Sequence, residues 1–174
     1  MMPRLFHVSE EPDIPVFHPR LPTRKDLDPE VGLVWAIDEP RLPNFLTPRN
    51  CPRVTYHMGP QSTDADRRFF SSPTASHVVA IEHKWFEAML NTTLYLYEFS
   101  PEGFVLQDAA AGYYVATTSQ APIAKSAVPQ LLPELLRRGI EIRLLDNLWA
   151  LAEEVQHSTL NWSFCRMGYA QPKK

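Results

Sequence analysis

The chain has 174 residues and a mass of 19.9 kDa, the size of one ordinary domain, so a single domain over residues 1–174 is expected. Hydrophobic residues are 44% and charged residues 21%, which excludes a disordered chain, and no run of about 18 apolar residues offers a membrane span. A net charge of −3 and a pI near 6.1 argue against an extended nucleic-acid surface. Proline is abundant, 17 residues against 6 glycines, which points to ordered extended loops and leaves no glycine-rich phosphate cradle. With no apolar run behind Arg4, we expect a cytoplasmic protein.

In chain order, Leu5 to Val8 is a short buried strand. From Ser9 to Glu30, Pro12, Pro15, Pro19, Pro22 and Pro29 forbid helix and predict a long extended arm. Gly32 to Ile37 is a second apolar strand, and Asp38 is placed to cap a short helical segment from Glu39 to Leu46, limited by Pro43. Strands are predicted at Arg53 to His57 and His77 to Ile81, and brief helices at Ser62 to Phe70 and around Lys84 to Leu90. Thr93 to Phe99 is the best strand; Gly103 to Leu106, Tyr113 to Thr117 and Ile123 to Val128 follow as shorter antiparallel candidates.

Towards the end, Leu131, Leu132, Leu135 and Leu136 fall on one helical face, with Arg137 and Arg138 at its C-terminal dipole and Gly139 as cap. Glu141 to Leu144 alternates as a strand. Leu148, Leu151, Ala152 and Val155 then recur at helical spacing behind Asp146 or Asn147. Strands outnumber helices and the connections are too short for repeated crossovers. The expected class is therefore α+β, a mixed and largely antiparallel sheet with short peripheral helices.

Three groups of residues carry potential chemistry. His77 and His83, like Cys51 and His57, are six extended residues apart, about 20 Å, too far for one tetrahedral ion, so no metal is expected. In Arg49-Asn50-Cys51-Pro52-Arg53 two guanidinium groups flank a thiol whose pKa they would depress. The same arginines and the Asn50 amide suit a phosphate or carboxylate. Against these stand an inert buried thiol and solvent-facing arginines; Cys51 and Cys165 are expected to be free. His7 sits on an apolar strand with Ser9 on the same face, a pair able to hold a polar ligand; a satisfied core histidine is the plainer alternative.

The order of these motifs resembles the ADP-ribosyltransferase-like fold, particularly its small bacterial branch of rifampin ADP-ribosyltransferases and RNA 2′-phosphotransferases. The resemblance rests on Leu5-Phe6-His7-Val8-Ser9, on Gly32 to Asp38 running on to Leu46, and on Leu96-Tyr97-Glu98-Phe99-Ser100-Pro101-Glu102-Gly103-Phe104. It implies NAD as cofactor, with His7 on the nicotinamide ribose and an aromatic, Trp35, on the nicotinamide, although strict register would put Val34 there. The family's acidic third position falls in Gly112 to Thr117, which holds no acid. The 2′-phosphotransferase branch works without it, and Arg20, Arg49 and Arg53 would then hold phosphate.

The expected transferase site therefore comprises His7 and Arg53 as catalytic residues, with Ser9, Arg20, Trp35, Arg49, Asn50 and Tyr114 binding an NAD- or ADP-ribose-type nucleotide. The alternative is a non-catalytic module presenting the proline-rich arm, or Trp162 to Tyr169, to a protein partner. Nearly the whole chain also resembles an uncharacterised bacterial family of similar length, through Gly32 to Ile37, Leu46 to Arg53 and Cys165 to Pro172.

Overall fold

Alternating apolar and polar residues give ten strands, and three α-helices of six to eight residues accompany them: β1 (Leu5–Ser9), β2 (Val34–Asp38), β3 (Arg53–His57), β4 (His77–Glu82), α1 (Phe86–Asn91), β5 (Leu94–Phe99), β6 (Val105–Asp108), β7 (Tyr113–Ala116), β8 (Ala124–Val128), α2 (Leu131–Arg137), β9 (Glu141–Leu145), α3 (Trp149–Gln156) and β10 (Asn161–Cys165). A computed structural model describes all of residues 1–174. They cluster into two compact units, Met1–Leu42 with Leu94–Ala127, and Pro43–Thr93 with Val128–Lys174. The class is α+β with mostly antiparallel sheets, as the residue pattern predicts.

The first unit is built on a six-stranded sheet ordered β6-β7-β2-β1-β5-β8. β1 pairs antiparallel with β5, setting Leu5 opposite Phe99, His7 opposite Tyr97 and Ser9 opposite Tyr95. On its other side Leu5 faces Asp38 and Phe6 faces Ile37, while β2 meets β7 with Val34 opposite Ala116 and Ala36 opposite Tyr114. Side chains alternate across a strand, so Leu5, His7, Ser9, Val34, Ala36, Tyr97, Phe99, Tyr114 and Ala116 share one face. Leu5, Val34, Ala36, Phe99 and Ala116 form its buried centre, and Phe17, Phe104 and Tyr114 pack against it.

The arm lies along this face, fastened at intervals. The Tyr97 hydroxyl donates to the Glu11 carbonyl and accepts the Ile14 N–H at 3.2 Å. Phe17 exchanges backbone bonds with Gln120 at 2.8 and 2.9 Å, and Arg20 with Leu33 at 3.1 and 2.9 Å. Between these ties the Phe17 ring meets Tyr97 and Phe99 edge-on, at centroid distances of 5.2 and 5.1 Å. Each such aromatic contact adds roughly 0.5–1.5 kcal/mol to the burial of the ring.

The second unit carries a four-stranded sheet ordered β10-β3-β4-β9, antiparallel except for the parallel pair β4 and β9. Val54 and Tyr56 of β3 and Val78 and Ala80 of β4 pack with Leu148, Ala152 and Val155 around α3, joined by Phe69, Phe70 and Leu160. The buried Tyr56 hydroxyl donates to the Phe69 carbonyl at 2.8 Å. That satisfies the one polar atom the ring brings inside.

Two predicted helices are tighter than α. Glu39–Phe45 and Asp64–Phe69 are 3-10 segments, the first holding Pro43, whose missing N–H and ring exclude a continuous α-ladder. Asp38 caps the first as expected, its Oδ1 accepting the Arg41 N–H at 3.1 Å. The helix predicted around Lys84 to Leu90 begins as a 3-10 turn, His83–Trp85, before α1. At α3 the predicted Asn147 stands one residue ahead of the N-cap Leu148, its Oδ1 accepting the Trp149 N–H at 3.0 Å.

Gly112 faces two obstacles to a side chain. Its φ is +69°, and a Cβ there would lie 2.5 Å from both Arg41 Cγ and Asp38 Oδ1. Gly139, at φ +72°, has open space around its Cβ position. Gly139→Ala is therefore expected to cost only the left-handed backbone penalty, about 1–2 kcal/mol, and Gly112→Ala that penalty plus the displacement of Arg41 and Asp38. Chemical denaturation of the two variants should rank them in that order; equal losses would contradict the packing at Gly112.

Candidate functional site

His7 is the centre of the polar residues on the first sheet. Its Nδ1 lies 3.1 Å from the Trp35 carbonyl; a carbonyl only accepts, so Nδ1 carries the hydrogen and Nε2 is left with a lone pair. Burial lowers the pKa of the ring, the Trp35 carbonyl bond partly opposes that shift, and the nearby Arg20 charge lowers it further. The outcome is a neutral imidazole of fixed tautomer that offers one acceptor beside one cation. Such a pair suits a ligand bearing a hydroxyl and an anionic group.

Of the other residues expected in this site, Ser9 and Tyr114 lie on the His7 face and Trp35 does not. Ser9 Oγ accepts the Glu11 N–H at 3.1 Å and shapes the start of the arm. Tyr114 stands opposite Ala36, and the β1–β2 register, carried one step beyond Phe6 and Ile37, sets His7 on the other side of that small residue. Trp35 points to the opposite face, where it meets Tyr113 edge-on at 5.4 Å and lies 5.8 Å from the Arg24 guanidinium. This corrects the expectation that Trp35 stacks on a base whose ribose is held by His7. Two neighbouring residues of one strand, 35 and 36, cannot face the same side. Val34, which strict register favoured, does share the His7 face.

The His7 face is not bare. Phe17 packs on the His7 ring at 4.7 Å with an interplanar angle of 52°, so the arm covers the histidine.

Arg49, Asn50 and Arg53 belong to the second unit. Arg49 is exposed, and Asn50 takes φ +65° in a turn closed by Cys51 N–H to Pro48 O at 3.1 Å. Arg53, only 6% exposed, donates from Nε to the Asn44 carbonyl at 2.8 Å and from Nη1 to the Cys51 carbonyl at 3.0 Å, and its guanidinium lies 5.2 Å from the Phe45 ring. It organises the loop that precedes its own strand. Cys51 is completely buried, and burial pushes its thiol up to about 12 against the lowering influence of Arg53. The expectation that flanking arginines would yield a thiolate is corrected: desolvation outweighs the neighbouring charge.

Two groupings escaped the sequence reading. His57 and His77 are register partners across β3 and β4, their rings 5.5 Å apart. His77 Nε2 lies 2.7 Å from Asn44 Oδ1, and Asn161 Nδ2 lies 3.3 Å from His57 Nε2. Histidine spacing along a single strand does not show this pairing, which depends on β3 and β4 being neighbours in register. The second grouping is Asp38 with Arg41 over Gly112. Burial raises the pKa of the Asp38 carboxyl and lowers that of the Arg41 guanidinium, and Arg41 Nε is buried without a hydrogen-bond partner. No group of three or more His, Cys, Asp or Glu is arranged to hold a metal, and no helix is long and apolar enough to cross a membrane.

Compared with known proteins, residues 6–170 match the model of a family of unknown function, DUF6886. No curated protein and no solved structure matches.

The state of His7 can be read from acid stability. In the unfolded chain the imidazole takes its proton near pH 6.5, whereas in the fold it does so only at lower pH. Its contribution is therefore complete above about pH 6.5 and is lost as pH falls through the folded value, where the unfolded state binds more protons. His7→Asn keeps an N–H for the Trp35 carbonyl but does not titrate. The stability difference between wild type and His7→Asn should shift against wild type as pH drops below about 6.5 in denaturant titrations. A difference constant with pH would show that His7 is not held neutral.

Proposed function

The chain belongs to the family of unknown function DUF6886, and we propose that its first unit binds an NAD- or ADP-ribose-type nucleotide on the His7 face of an ADP-ribosyltransferase-like architecture. The observation that carries this reading is the fixed tautomer of His7, which leaves an Nε2 lone pair on a ring that feels the Arg20 charge. A ribose hydroxyl donates to Nε2, and the adjoining phosphate takes Arg20 as its counter-charge. Tyr114, across Ala36, supplies an aromatic ring for the base. Transfer chemistry follows the 2′-phosphotransferase pattern better than a glutamate-dependent one, because β7 and its flanks carry no acid from Gly112 to Thr117.

A second reading is favoured by a separate observation. Phe17 sits on His7, Tyr97 and Phe99, so the face is filled by the chain's own arm. In that case the unit is a non-catalytic binding module and His7 is a core residue.

Thermal shift with NAD, ADP-ribose and a 2′-phosphorylated nucleotide separates these readings. Ligand at about a hundred times its dissociation constant stabilises by about 2.7 kcal/mol, and His7→Ala should weaken binding by about 1–3 kcal/mol while moving the melting temperature by only a few degrees. Release of nicotinamide from NAD would establish turnover. No stabilisation by any of the three, together with a large melting loss in His7→Ala, would leave the module.

A further inference from the structure

The second unit has a groove of about 420 Å³ lined by Arg67, Phe70, Ser71, Ser72 and Pro73. Its one basic lining residue is not neutralised. The neighbouring arginines are committed to acids: Arg68 lies 3.8 Å from Glu154, and Arg143 lies 2.9 Å from Glu141. Arg67 pairs with no carboxylate. Its Nη1 donates to the Pro73 and Ala75 carbonyls at 3.2 and 2.9 Å, and its guanidinium stands 6.0 Å from the Phe70 ring. Two fixed acceptors thus orient the fork without neutralising it.

The acid nearest the groove is also spoken for. Glu141 accepts the Ser71 N–H at 3.0 Å and the Ser71 hydroxyl at 2.5 Å while paired with Arg143. Ser72 Oγ accepts the Thr74 and Ala75 N–H groups at 3.3 and 3.2 Å, which holds the far wall in a tight turn. An oriented cation, the edge of the mostly buried Phe70 ring, a proline and a serine-bearing turn make a receptor that is charged at one end and partly apolar beside it.

From this we infer that the groove binds a small oxyanion carried on a flat apolar body, an aryl phosphate or aryl carboxylate, with Arg67 as the fork and Pro73, beside the edge of Phe70, as the apolar wall. The inference does not rest on the nucleotide reading of the first unit. The two unused edges of the guanidinium, Nε and Nη2, match a bidentate acceptor. A single cation without a second basic residue sets a weak affinity, with a dissociation constant on the order of 1 mM.

The test is amide NMR and calorimetry on the full chain with phenyl phosphate, benzoate, inorganic phosphate and benzamide. Phenyl phosphate or benzoate should bind saturably, with shifts confined to Arg67 and residues 70–73. Inorganic phosphate, which lacks the flat body, and benzamide, which lacks the charge, should bind about tenfold more weakly. The order of the two aryl anions identifies which oxyanion the site prefers. R67Q should weaken the better one by about tenfold or more, and R68Q should leave it unchanged. S72D retains a side-chain acceptor for the turn and sets a carboxylate beside Arg67, so it should abolish binding even if R67Q proves unstable. Equal affinity in wild type and S72D, shifts spread away from the groove, or no saturation by either aryl anion would overturn the inference.

Discussion

Strand pleating combined with fixed register is the constraint on which every side-chain grouping in this chain depends. Once Leu5 stands opposite Phe99 and Ala36 opposite Tyr114, the alternation of faces puts His7, Tyr97 and Tyr114 together and sends Trp35 to the other side with Tyr113. The same rule in the second unit pairs His57 with His77 and puts Val54 and Tyr56 against α3. A one-residue slip in either sheet would exchange these sets and bury the polar members without partners.

The proline-rich arm turns that constraint into a closed surface. Its prolines remove helical alternatives and narrow the unfolded ensemble, so the arm is ordered at a reduced entropic cost. Backbone bonds at Phe17 and Arg20 and the Tyr97 hydroxyl at Glu11 and Ile14 hold it against the sheet. Phe17 is thereby delivered onto His7. The ring contact that desolvates the imidazole and the Trp35 carbonyl that selects its tautomer act on one residue, which makes His7 both a packed side chain and a defined acceptor.

Charges in this chain are handled in two ways. Several exposed arginines form pairs, as Arg4 does with Glu39 and Glu98 at 2.9 and 2.8 Å, contacts of the kind that contribute little at a solvated surface. The most deeply covered arginine, Arg53, is instead satisfied by the Asn44 and Cys51 carbonyls. A buried cation bound to backbone carbonyls has its hydrogen bonds filled by the loop it organises, which is why Arg53 reads as architecture while the surface fork of Arg67 keeps donors to spare. Cys51 shows the companion effect, since a thiol in a desolvated site stays protonated even with a guanidinium close by.

Local chemistry was sufficient to establish the class and most elements. Apolar runs and period-two alternation marked nine of the ten strands within a few residues, β10 being the one missed; prolines marked the arm, and Asp38, Asn147 and Gly139 announced the ends of their helices, because each of these signals acts over one to four residues. The choice between 3-10 and α at Glu39–Phe45 and Asp64–Phe69 lay beyond such rules, for it turns on a few tenths of an ångström in each turn. At the candidate site, His7 and Ser9 on one face were legible from strand parity alone. That Tyr114 joins them and Trp35 does not follows from the registers of β2 with β1 and β7. What only the tertiary structure decided was which strands are neighbours: the meeting of His57 with His77, of Phe17 with His7, and of Arg53 with the Asn44 carbonyl joins residues whose positions in the chain carry no mark of their partner. Pairing between distant strands is settled by the summed burial of whole faces, and that sum is a property of the folded chain.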